Sequence, residues 1–122
     1  MKTKKELIRE YKERRKPAGV FQIKNRVSGK LLLGSSLNLE GSLNKHEFLL
    51  TNGQHRNRAL QKDWNGYGPD AFVFEILDVV KVKDKPDFNL SVELETLEQK
   101  WIDDLQPFGE NGYNTASRIR EA

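Results

Sequence analysis

Two polar residues stand where the helical periodicity of this chain calls for apolar ones, and both are of types that can do chemistry. Across Leu90–Leu105 a rotation of ~100° per residue gathers Leu94, Leu97, Trp101 and Leu105 into one apolar sector. Glu98 falls inside that sector, four residues after Leu94 and three before Trp101. A carboxylate turned toward an apolar face is costly unless it is paired, protonated or bound to a metal. Glu98 is therefore a candidate site residue; the plainer alternative is an edge glutamate whose stem packs while its carboxylate reaches water. His46 raises the same question, because it shares a stripe with Leu39, Leu43 and Leu50. An imidazole there can move protons near neutral pH or ligate a metal, or it can be a hydrogen-bonded core residue. Neither residue is accompanied by an HExxH pattern, a Ser-His-Asp arrangement, a phosphate-cradling glycine loop or zinc spacing.

The elements that must position these residues follow from periodicity and punctuation. Residues 3–15 predict a short helix with a narrow stripe of Leu7, Ile8 and Tyr11, ended at Pro17 because the residue before proline is driven out of the helical region. The runs 20–24 and 30–34, separated by Asn25-Arg26-Val27-Ser28-Gly29, predict a β-hairpin. Asn38 is the expected N-cap of a helix reaching about Thr51, with Gly53 as its stop. A further helix is expected from about Asn57 to Trp64, halted by Asn65-Gly66-Tyr67-Gly68-Pro69. A buried strand is expected over residues 71–80, then a charged loop, then a long helix over residues 90–105 that ends before Pro107. Trp64 and Trp101 read as core; Tyr67 lies in a loop that could approach a site. Strands interleaved with helices make one α+β domain.

The chain has 122 residues, enough for one domain, and no cysteine, which excludes disulfides, thiolate metal sites and cysteine nucleophiles. No run of 18 apolar residues occurs and residues 1–16 are too charged for a secretory leader, so a soluble cytoplasmic protein with no membrane association is expected. The net charge of +3 conceals a strong polarity. Residues 1–16 carry eight Lys or Arg against three Glu, residues 17–69 seven against three acidic groups, and residues 70–122 six against twelve. A basic N-terminal half suggests a polyanionic partner, nucleic acid first; the alternative is an ordinary solvated surface.

The ordered landmarks resemble the GIY-YIG endonuclease superfamily. They are Gly19-Val20-Phe21-Gln22-Ile23-Lys24-Asn25, then Gly29 through Ser36, then Asn38-Leu39-Glu40 and Lys45-His46. The series continues with Leu60 through Gly68, Glu98-Gln99-Lys100-Trp101-Ile102 and Gly112-Tyr113-Asn114. The match covers about residues 19–116. It implies a small three-stranded antiparallel sheet flanked by helices, with residues 1–16 as a basic helical extension and 17–122 as the family-like domain. In active members a first-strand tyrosine serves or assists as general base, a second-strand tyrosine lies beside it, and a helix arginine contacts the scissile phosphate. A glutamate on a later helix holds one divalent ion, which stabilises charge during in-line attack by water.

Carried over by position, the resemblance implies catalytic roles for His46, Glu98 and Asn114, with Glu98 as the metal ligand. It also marks three replacements: Phe21 and Leu32 stand where the tyrosines are expected, and Ser42 where the arginine is expected. Phenylalanine cannot deprotonate water, leucine cannot hydrogen-bond, and serine carries no charge to offset a phosphate. The expectation is an impaired site that retains nucleic-acid binding, preferably of double-stranded DNA, through Lys24, Arg26, Lys30, Lys45, Arg56 and Arg58. Rescue would fall to His46 as a base and to Lys45 or Arg56 at the phosphate, giving an active endonuclease using Mg²⁺ or Mn²⁺. If the site is inert, no cofactor is required. A third class is a non-catalytic protein-interaction module, whose partner would meet Glu93, Glu95, Asp103 and Asp104. No separate specificity domain lies within the 122 residues, so low sequence selectivity is expected.

Overall fold

The segment GVFQIKN becomes the central strand of a sheet because both of its faces can be covered: six of its seven residues are buried. In the computed structural model, which describes residues 17–115, this strand is β1 (Gly19–Asn25), β2 is Leu31–Ser36 and β3 is Phe72–Val79. The three strands pair antiparallel, in the order β2-β1-β3. The helix expected over 3–15, and with it the proposed 1–16 extension, lies outside the described residues.

The β1–β2 hairpin closes as its sequence predicts. The Asn25 carboxamide oxygen accepts from the Val27 and Ser28 N–H groups, a side-chain turn that reverses the chain. Three asparagines then start the three α-helices of the described residues, each accepting from a main-chain N–H three residues on: Asn38 from Gly41, Asn57 from Leu60 and Asn89 from Val92. The helices are α1 (Leu39–Thr51), α2 (Arg58–Tyr67) and α3 (Leu90–Leu105).

Two expectations are corrected. Helix α2 runs past Asn65-Gly66 and stops only at Gly68, whose φ of 90° supplies the backbone conformation that ends the helix. Strand β3 is buried only at its start, at Phe72, and lies at a sheet edge. Trp64 of α2 packs on its Phe72 and Phe74, with ring centroids 5.3 and 6.1 Å apart, whereas Ile76 and Val79 further along are about half exposed.

Alternation along the strands divides the core. Phe21 and Ile23 point to one face, where they meet Leu39 and Leu50 of α1 and Leu60 and Trp64 of α2. Val20, Leu31 and Leu33 point to the other, where Ile102, Leu97 and Trp101 of α3 cover them. Beyond α3 the chain returns along the outer edge of β2: the Tyr113 N–H donates to the Leu31 carbonyl, and Gly112 bridges Leu31 in parallel. That approach leaves no space for a side chain, since a methyl group on Gly112 would run into the main-chain carbonyls of Pro107 and Leu31. Among the described residues no helix is long and apolar enough to cross a membrane.

Candidate active site

Because β2 is an edge strand, the helices on the two faces of the sheet both overlook it, and a cleft of about 1340 Å³ opens between them. Leu32, Leu33 and Asn114 form its floor. One wall, from α1 and the segment leading into α2, carries Lys45, His46, His55, Arg56 and Arg58. The opposite wall is α3, with Glu95, Glu98, Asp103 and Asp104 and a single cation, Lys100. The cleft is thus basic on one side and mainly acidic on the other.

Glu98 is half-buried and faces this cleft, as its anomalous place in the apolar sector suggested. Asn114 also lines it, with both ends of its amide committed. Its oxygen accepts from the Leu33 N–H at 2.8 Å and its nitrogen donates to the Leu33 carbonyl at 2.9 Å, which fastens the returning chain to β2. Leu32, Lys45, Arg56 and Arg58 join the same cleft. Five other named positions, and Tyr67 as well, are not among its lining residues. Phe21 is buried beneath it, 2% exposed, with its ring over Gly34 and its centroid 5.2 Å from that of His46. Ser42 is half-buried one helical turn before His46. Lys24, Arg26 and Lys30 sit at the hairpin end of the sheet, where the Lys30 ammonium lies 6.0 Å from the Tyr113 ring centroid. Tyr67 closes α2, away from the cleft lining.

A residue that sequence reasoning passed over completes the basic wall. His55 is 7% exposed, and its Nε2 lies 2.7 Å from Nδ1 of His46. The main chain holds it on two sides. Its own N–H donates to the Gln61 carboxamide at 3.0 Å, and its Nδ1 accepts from the Asn57 N–H at 3.0 Å. His55 follows the helix stop at Gly53, so no periodicity frames it. The available signal was compositional: both histidines of the chain fall within the basic segment 17–69.

Burial, the neighbouring His55 and the Lys45 ammonium lower the pKa of His46 to about 4; burial and Lys45 lower that of His55. Both rings are therefore neutral at neutral pH. The unfolded chain binds protons near pH 6.5 while the folded rings resist them, so the stability they contribute is complete above about 6.5 and is lost as pH falls toward about 4. The thermal midpoint should decline between pH 7 and pH 5, and His46→Gln should flatten that decline. A midpoint unchanged over this interval in the parent chain would contradict the assignment.

Tyr113 carries a hydroxyl near the cleft, yet it does not replace the absent tyrosines. Its O–H donates to Asp63 at 2.8 Å and accepts from the Asn25 amide at 3.3 Å, both beneath the surface. Burial, with Asp63 opposing the phenolate, pushes its pKa up to about 12, so it stays protonated. For a metal the donors are sparse: among the described residues no group of three His, Cys, Asp or Glu could enclose one. Mg²⁺ keeps several waters and commonly takes only one or two carboxylates together with substrate phosphate. Glu98 fits that mode and no fuller cage.

No family model matches the chain. It is similar to intron-associated endonuclease 1 of Enterobacteria phage T4, at 31% identity over 99 residues. The aligned part is 81% of this chain but 37% of that protein, so the chain spans little more than a third of its relative's length. Among solved structures, the catalytic domain of the homing endonuclease I-TevI superposes with a TM-score of 0.63 at 30% identity, covering 81% of this chain and 98% of that domain. A mutant form of the same domain matches with a TM-score of 0.64 at 28% identity, over 80% of this chain and 92% of the other.

Proposed function

Since the chain belongs to the GIY-YIG endonuclease family, we propose that its cleft holds the backbone of nucleic acid, preferably duplex DNA, with its phosphodiester-cleaving chemistry impaired. The observation that carries this reading is the convergence of Lys45, Arg56 and Arg58 on one wall of the cleft, opposite Glu98. Three cations on adjacent elements match a polyanion, and the eight Lys and Arg of residues 1–16 add to the attraction. Impairment rests on side-chain chemistry. The general-base position is Phe21, which is buried and has no hydroxyl; Leu32 presents only carbon to the cleft; Ser42 brings no charge. Glu98 is the group that would hold Mg²⁺ or Mn²⁺, and such an ion would supply charge stabilisation at a phosphate.

A salt titration of duplex binding tests the reading. The logarithm of the affinity should fall linearly with that of salt, and Lys45→Gln, Arg56→Gln and Arg58→Gln together should reduce the slope by about 1 per cation removed. The corresponding substitutions at Lys24, Arg26 and Lys30 should change it less, because those side chains lie off the cleft. Equal slopes in the two triple variants, or an affinity indifferent to salt, would overturn the proposed interface.

A further inference from the structure

We infer that His55 fixes His46 as a hydrogen-bond donor, with the His46 Nε2–H offered to a phosphate oxygen of the nucleic acid in the cleft. The ligand rests on the function proposed above; the orientation of the two rings follows from their hydrogen bonds alone. A main-chain N–H can only donate, so the Asn57 N–H, 3.0 Å from Nδ1 of His55, requires that nitrogen to carry a lone pair. The proton of a neutral His55 is then on Nε2, directed at Nδ1 of His46, 2.7 Å away. That nitrogen must accept, which leaves the His46 proton on its own Nε2. The direction of donation therefore runs unbroken from the Asn57 main chain through His55 to His46.

The alternatives each place two donors face to face. A protonated His55, or its other tautomer, would direct an Nδ1–H at the Asn57 N–H. A protonated His46 would direct its Nδ1–H at the Nε2–H of His55. Adding a proton to either ring thus breaks an existing hydrogen bond, in keeping with the lowered pKa values of both. His46 Nε2 has no hydrogen-bond partner among the described residues, is not a buried orphan, and belongs to a side chain that lines the cleft beside Lys45. A donor in that place complements an anionic oxygen, and phosphate is the anion the adjacent cations would deliver.

Two consequences follow. His46 does not serve as the missing general base, since its cleft-facing nitrogen already carries the proton. His55 is a positioning residue, acting on the ligand only through the ring it orients.

The test is a two-bond ¹H–¹⁵N correlation spectrum of the histidine side chains in the full chain at pH 7. Both rings should be neutral with the proton on Nε2; a His46 that is charged or protonated on Nδ1 overturns the inference. His55→Phe removes the donor and should let His46 sample both tautomers. His55→Gln, whose amide can donate to His46 from the same direction, should restore the Nε2–H form. If His46 keeps an identical spectrum in His55→Phe, positioning by His55 is refuted. Should His55→Phe fail to fold, the parent and His55→Gln spectra still decide the tautomer.

A short DNA duplex added to the parent should shift the His46 Nε2 signal, and His46→Phe should weaken binding about tenfold, as for loss of a hydrogen bond to a charged group. Duplex binding that leaves the His46 signal and the His46→Phe affinity unchanged overturns the phosphate contact. Absence of any duplex binding instead overturns the nucleic-acid reading and the ligand with it, while the spectrum of the free protein still decides the relation between the two rings.

Discussion

Installing Phe21→Tyr, Leu32→Tyr and Ser42→Arg together is expected to raise metal-dependent nicking of supercoiled plasmid by about 10³-fold or more. A missing general base costs roughly 10²–10⁴ in rate, and a missing electrostatic donor at a phosphate roughly 10²–10³. Groups that act as a unit do not contribute additively, so the three changes are needed together. The fold has a place for each. Leu32 already faces the cleft, so a tyrosine there brings a hydroxyl to the floor. Ser42 lies one turn before His46 on α1, within reach of a long cationic side chain. Phe21 is the most constrained, with its ring tip over Gly34, where any side chain on that glycine would collide with it. Adding Glu98→Ala to the triple variant should abolish the gained activity. A parent chain that nicks as fast as the triple variant would show that other residues had taken over the chemistry.

Gly112→Ala is expected to destabilise the domain by about 3 kcal/mol, lowering the thermal midpoint by roughly 10–20 °C. The obstructing atoms are main-chain carbonyls on two sides, from Pro107 and Leu31, and neither can rotate away as a side chain could. Relief requires moving the returning chain off β2. That movement would loosen the Asn114 amide from Leu33 and the Asn57 amide from the Tyr113 carbonyl, both at the cleft floor. Gly66→Ala provides the contrast. That glycine sits in α2 with open space where a methyl group would project and without a positive φ, so alanine should stabilise by about 0.5–1 kcal/mol through helix propensity. Thermal unfolding followed by circular dichroism measures both. A Gly112→Ala midpoint within about 2 °C of the parent would refute the packing described at the β2 edge.

Local signals carried most of the element assignment. Asn38, read as an N-cap before an apolar-periodic run, marked one helix start, and in the structure Asn57 and Asn89 cap the other two helices in the same way. The hairpin was placed by two short β-prone runs around a Ser-Gly loop, and the Asn25 carboxamide closes that loop by accepting from nearby N–H groups. Helix α2 outran its expected end because a glycine without positive φ does not stop a helix; Gly68 has the required conformation and Gly66 does not. The exposure of β3 was not legible, because a run rich in Phe and Val reads alike at the centre and at the edge of a sheet. Only the sheet order decides between them.

The site divides along similar lines. Glu98 and His46 were visible as polar residues on apolar stripes, a pattern that tertiary structure explains by the cleft at the β2 edge. His55 was not visible, because its place depends on main-chain hydrogen bonds from Asn57 and to Gln61 in a non-periodic segment. The split of the six basic candidates into a cleft group and a hairpin group also depends on where the chain turns. Charge along the sequence counts cations without placing them.

The proposed function pairs duplex binding at the basic cleft wall with loss of the groups that cleave. A single gel reads both: supercoiled plasmid incubated with the parent chain and with Glu98→Ala, in Mg²⁺ or Mn²⁺, over a series of salt concentrations. Retardation of the plasmid that disappears as salt rises is expected, with no nicking in the parent beyond that in Glu98→Ala. Nicking by the parent that is lost in Glu98→Ala, or a plasmid that is never retarded at any salt concentration, would contradict the proposed function.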